Sequence, residues 1–163
     1  MAACICVMDL KAIRHTGKFI GEDWLYVIGL NGRRGTIRGN GKNRIYEAGK
    51  RPRWSVVTPS CGSRLSLDIT IWAVEQDLAF DDENPEVTRL HTKVMQCPGP
   101  EATQPGKLLN QIIQVPVTED YGLFKGKTNQ VAFEFDILAH CHAGIDSEAD
   151  EAGVGEGASE DDD

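Results

Sequence analysis

The chain of 163 residues carries 17 basic and 25 acidic side chains with 40% hydrophobic residues, enough for one domain with a real core and too little for two. Nine of the acids stand between Asp146 and Asp163, which leaves 16 acids against 17 bases in a nearly neutral body. No run approaches the roughly eighteen apolar residues of a membrane-spanning helix, and the N-terminus lacks the basic region and apolar run of a signal peptide, so the default placement is cytoplasmic.

Alternation with a period of two dominates the chain and predicts, in order, strands at Ala3 to Ala12, Trp24 to Leu30, Arg44 to Tyr46 and Trp54 to Thr58. Arg64 to Val74 follows, with Leu65, Leu67, Ile69 and Ile71 on one face and Ser66, Asp68 and Thr70 on the other. Further strands are expected at Arg89 to Met95, Gln111 to Pro116 and Val131 to Leu138, the last setting Val131, Phe133, Phe135 and Ile137 opposite Glu134 and Asp136. Turn chemistry separates them at Gly17, Asn31-Gly32, Gly39-Asn40-Gly41, Pro59, Asn84-Pro85, Pro98-Gly99-Pro100 and Pro105-Gly106. The nearest approach to a helical stripe, Glu86 to Met95, is opposed by its β-branched Val87, Thr88, Thr92 and Val94. The pattern predicts an all-β fold, an antiparallel β-sandwich of about eight strands over residues 1–143. Residues 144–163, of which Asp146 to Asp163 are Asp, Glu, Gly, Ala and Ser with a lone Val154, are predicted to be a disordered acidic tail. Such a tail serves solubility or acts as an electrostatic lid or handle for a basic partner.

Five cysteines, Cys4, Cys6, Cys61, Cys97 and Cys141, are an odd number without the regular spacing of a disulfide framework, and point to reduced thiols. Cys4 with Cys6, and His140 with His142, could each supply a soft-metal pair if the terminal strands were neighbours, because alternate strand residues share a face. Buried thiols and surface histidines are the simpler expectation.

Basic charge is concentrated in one place. Arg33, Arg34, Arg38, Lys42, Arg44, Lys50, Arg51 and Arg53 stand against a single Glu47, interleaved with glycines and bounded by Trp24, Tyr46 and Trp54. Such a Gly-rich segment is either a solvated loop or a contact surface for protein partners, an anionic lipid surface or, ranked below these, a nucleic acid. A second cluster, Glu75, Asp77, Asp81, Asp82, Glu83 and Glu86, is either a polar loop or oxygen ligands for a hard cation such as Ca²⁺.

Strand Leu67 to Val74 followed by Glu75-Gln76-Asp77 and Asp81-Asp82 resembles the third loop of calcium-dependent lipid-binding C2-type sandwich domains. Gly21-Glu22-Asp23-Trp24-Leu25-Tyr26-Val27 resembles the place where that family carries Asp-Pro-Tyr-Val. The resemblance covers about Ala3 to Ala139 and implies an eight-stranded sandwich with metal and lipid bound by loops at one end. It implies Asp23, Glu75, Asp77, Asp81 and Asp82 as candidate Ca²⁺ ligands. Trp24 replaces the proline of the first motif, His15 to Ile20 offers no carboxylate, and Glu75 stands where an Asp is usual, so the fold is expected more firmly than the metal.

Gly32 to Gly41 has neither the Gly-Lys-Ser/Thr ending of a phosphate loop nor a helix after it, and no nucleophile elbow appears. The expectation is therefore a binding or assembly module and not an enzyme, with no cofactor beyond the candidate Ca²⁺. Its contact surface would be Arg33 to Arg53, and its partners proteins, including copies of itself; a peripheral Ca²⁺- and phospholipid-binding domain is the alternative.

Overall fold

In the computed structural model the described residues are 3–17, 21–58, 60–76, 89–100, 106–118, 126 and 128–142. They form nine strands: β1 (Ala3–Thr16), β2 (Trp24–Leu30), β3 (Arg33–Gly39), β4 (Arg44–Ile45), β5 (Arg53–Thr58), β6 (Arg64–Glu75), β7 (Arg89–Gln96), β8 (Lys107–Thr118) and β9 (Thr128–His142). One sheet runs β4-β1-β9-β8, with β5 sharing the side of β1 that carries β4; the other runs β3-β2-β6-β7, and every pairing is antiparallel. The all-β sandwich expected from alternation is the observed architecture. The predicted tail lies outside the described residues.

The inward faces are the ones the alternation marks. Leu65, Leu67, Ile69 and Ile71 of β6 and Val131, Phe133, Phe135 and Ile137 of β9 are all buried between the sheets. Each such side chain contributes about 1.5–3 kcal/mol by leaving water. β1 runs beyond its expected end at Ala12 because its register on β9 shifts between Leu10 and Ala12. This bulge moves the inward set from even to odd positions, so Ala12 and Ile13 are both buried and His15 joins the core.

Sequence reasoning missed β3. Its inward register positions include Gly35 and Gly39, and only Ile37 is apolar, so no hydrophobic face betrays it. Aromatic rings fill the missing space: a Cβ on Gly35 would stand 3.4 Å from Cζ2 of Trp54, and one on Gly39 2.6 Å from Cε2 of Tyr26. Close packing against Tyr26 requires glycine at position 39, while Gly35 lies at ordinary contact distance from Trp54; this stretch is a sheet edge, which corrects the reading of a solvated loop.

The reduced-thiol expectation is also corrected. Cys4 is bonded to Cys97 and Cys61 to Cys141, while Cys6 is free and buried. Spacing along the chain could not show this, because sequence separations of 93 and 80 residues are closed by the sandwich itself. The terminal strands are indeed neighbours, with Cys4 opposite Cys141 and Ile5 opposite His140. That register puts His140 and His142 on the outer face and Cys4 and Cys6 on the inner one, so the conditional soft-metal pairing of both cysteines with both histidines does not arise.

Candidate functional site

The eight basic residues separate into two groups. Arg53 holds Asp9 through two hydrogen bonds, Nε to Oδ1 at 2.7 Å and Nη2 to Oδ2 at 3.1 Å, and Arg51 Nη1 donates to Asp136 Oδ2 at 3.3 Å. With Arg14 and Lys11 on Glu134, and Asn110 bridging Glu134 and Asp136, these form a band of paired charge across the outer face of the first sheet. The Arg14 hydrogen bond, then that of Asn110, holds the Glu134 carboxyl below its ordinary range. Arg51 and Arg53 therefore belong to the scaffold. Lys50 meets Glu47 at 3.5 Å in a fully solvated pair, worth little.

Arg33, Arg34, Arg38 and Lys42 make no ion pair among the described residues, and all four are exposed. Arg34 and Arg38 alternate with Thr36 on the outer side of β3, opposite Gly29 and Leu25. The stem of Arg34 lies over Gly29, where an added Cβ would approach its Cγ to 3.2 Å. Arg44 sits on the Tyr46 ring, 4.5 Å from its centroid.

Between the edge of β3 and the edge formed by β4 lies a cleft of about 490 Å³, lined by Ile13, Tyr26, Arg38, Gly39, Asn40, Lys42, Asn43, Arg44 and Tyr46. Three cations surround an aromatic floor. Tyr46 is 8% exposed, its hydroxyl has no hydrogen-bond partner, and burial raises its pKa, so it remains a donor. Asn43 Oδ1 accepts the His15 backbone N–H at 2.8 Å, which ties the connection between β3 and β4 to β1. A groove of about 380 Å³ continues along Arg33 to Ile37 against Pro52 to Ser55. From sequence, Asn43 is not singled out, Asn40 reads only as a turn residue and Tyr26 only as part of the Gly21 to Val27 resemblance; the trace of this cleft is the aromatic residues flanking the basic run.

Such an arrangement can hold an anion by charge and by donated hydrogen bonds. His15 is hydrogen-bonded to the Tyr26 hydroxyl inside the core, and burial lowers its pKa to about 4.

Of the candidate Ca²⁺ ligands, Asp23 and Glu75 come together. Trp24 pairs with Glu75 across β2 and β6, and Gln76 N donates to Asp23 O at 2.7 Å. The Glu75 carboxylate rests against Gly21, where a Cβ would overlap Oε1. Asp77, Asp81 and Asp82 lie outside the described residues, as do Glu83 and Glu86. Among the described residues no group of three or more His, Cys, Asp or Glu side chains is arranged to hold a metal ion with the disulfides formed.

No family model and no curated protein matches the chain. A solved structure of the C2A domain of plant extended synaptotagmin 1 is similar at 11% identity, over 86% of this chain and 96% of that one, with a TM-score of 0.40. The strand pairing above, not this likeness, defines the architecture.

Proposed function

We propose that the chain is a non-enzymatic binding module that takes an acidic segment of a partner protein along the edge formed by β3 and β4. One observation carries this. Among the described residues, Arg33, Arg34, Arg38 and Lys42 are exposed and without ion pairs, on and beside a strand that pairs on one side only. An edge strand offers free backbone donors and acceptors to an extended peptide, and the cations add charge complementarity. A second copy of the chain, itself acidic at its C-terminus, satisfies the same chemistry.

Anisotropy of a labelled Asp/Glu-rich peptide titrated with the full chain tests the proposal. Binding should weaken with salt, as screened charges require, and fall at least about tenfold in Arg34→Glu/Arg38→Glu, roughly 1.4 kcal/mol. Equal binding by that variant would overturn the assignment of the edge.

A peripheral membrane reading is favoured by one further fact. Gly39, Trp24 and Glu75 are successive cross-strand partners, so Asp23 and Glu75 share an end of the sandwich with Arg38 and Lys42. In that reading phosphatidylserine vesicles bind only when calcium is present. Peptide binding that ignores a chelator, with no vesicle binding, supports the protein-partner proposal.

A further inference from the structure

Four of the five cysteines converge from four separate segments at the end of the sandwich away from the basic cleft. Cys4 opens β1 and Cys141 closes β9, and the two are direct cross-strand partners, which places their Cα atoms about 4.5–5.5 Å apart. Cys61 lies in the turn before β6 and Cys97 just after β7. Those two stretches are held together by Gly62 N donating to Pro98 O at 3.0 Å, Cys97 N to Ser63 O at 2.9 Å and Gln96 Nε2 to Gly62 O at 2.7 Å. The disulfides close the figure, with Cα separations of 6.2 Å for Cys4 and Cys97 and 5.5 Å for Cys61 and Cys141. Cys4 therefore neighbours Cys97 and Cys141, and Cys141 neighbours Cys4 and Cys61, so the four stand in one continuous series; the backbone hydrogen bonds within the β1–β9 pair and between residues 62–63 and 97–98 do not depend on the sulfur–sulfur bonds.

We propose that in the reduced chain Cys4, Cys61, Cys97 and Cys141 form one tetrathiolate site for a Zn²⁺ ion. Zn²⁺ takes four thiolates tetrahedrally at about 2.3 Å, so the two sulfurs of each opened disulfide must separate to about 3.8 Å and the two pairs must meet at the same spacing. Two equivalents of a dithiol reductant supply the four electrons and four protons that open both disulfides; binding Zn²⁺ then displaces the four thiol protons to solvent. Two ligands belong to strands of one sheet, and two to the end of the other, so the ion joins the sheets where the disulfides otherwise do. Cys6 lies on the same face as Cys4 but two residues further along β1, opposite Ala139 where Cys4 is opposite Cys141, so it stands deeper in the core and is not a ligand.

The test uses the full chain, reduced with a phosphine, stripped of metal and titrated with Co²⁺ and then Zn²⁺. The expected result is one Co²⁺ per chain with the strong visible absorption of tetrahedral thiolate ligation, bleached by one Zn²⁺. The spectrum should persist in Cys6→Ser and disappear in Cys61→Ser. Should the reduced chain or a variant unfold, circular dichroism on adding Zn²⁺ decides: recovery of strand signal in the wild type and Cys6→Ser but not Cys61→Ser supports the site. A reduced wild-type chain that gives no tetrahedral Co²⁺ spectrum and gains no structure with Zn²⁺ overturns it, as does a Cys61→Ser spectrum equal to that of the wild type.

Discussion

His15 Nε2 and the Tyr26 hydroxyl share a hydrogen bond buried between the two sheets, and the His15 ring meets Trp24 edge-on with centroids 4.6 Å apart. The other ring nitrogen, Nδ1, is buried without a partner, so a second proton there would be a charge with nothing to receive it.

Stability should consequently depend on pH. Burial lowers the folded pKa of His15 from 6.5 to about 4, so between those values the unfolded chain binds the proton and the folded chain does not. The contribution is complete above about pH 6.5 and is lost as pH falls toward about 4. Urea midpoints should decline from pH 7 to pH 4.5 in the wild type and decline less in His15→Gln. Parallel pH profiles for the two proteins would contradict this.

Gly39 makes room for Tyr26. A Cβ there would stand 2.6 Å from Cε2 and 2.8 Å from the hydroxyl oxygen, so Gly39→Ala should cost about 1–3 kcal/mol by overpacking. Gly99, whose added Cβ would meet nothing within 4 Å, is the control, with Gly99→Ala expected within about 0.5 kcal/mol of the wild type. Equal thermal midpoints for the two variants would show that β3 is not packed as described.

The division of the basic residues predicts a division of effects. Arg53→Ala removes both bonds to Asp9 but from a side chain that is 64% exposed, so its loss should cost about 0–1 kcal/mol and leave peptide affinity nearly unchanged. Arg38→Ala should do the reverse, leaving denaturant midpoints alone and weakening the peptide. Affinity lost equally in both would mean that net charge, and not the edge, governs binding.

Deleting Asp146 to Asp163 removes nine carboxylates and changes the formal charge from -8 to one excess base. If the acidic segment competes for the cations of β3, the shortened chain should bind the acidic peptide more tightly at low salt, with an unchanged melting temperature. Unchanged affinity and unchanged solubility would leave the segment without a role in binding.

The sheets were legible because β6 and β9 bury one face each, and the strict alternation of Leu65 to Ile71 and Val131 to Ile137 follows from that geometry. The edge was not. β3 has glycine where a strand normally shows a buried side chain, since Trp54 and Tyr26 reach across to fill the space, and a long-range contact of that kind leaves no local pattern. The basic site was legible as charge but not as two groups, because only the register of β1 on β5 and β9 brings Arg53 to Asp9 and Arg51 to Asp136. The disulfides were illegible for the same reason: Cys4 meets Cys97 through the packing of one sheet on the other.

Backbone amide shifts of the full chain, followed by two-dimensional NMR during addition of an acidic peptide, test the central claim most directly. The account predicts that the largest changes fall on Arg33 to Gly39 and Lys42 to Arg44, and that they vanish in Arg34→Glu/Arg38→Glu. Changes confined to β7 and β8 on the opposite side, or to Asp23 and Glu75 only after calcium is added, would contradict it.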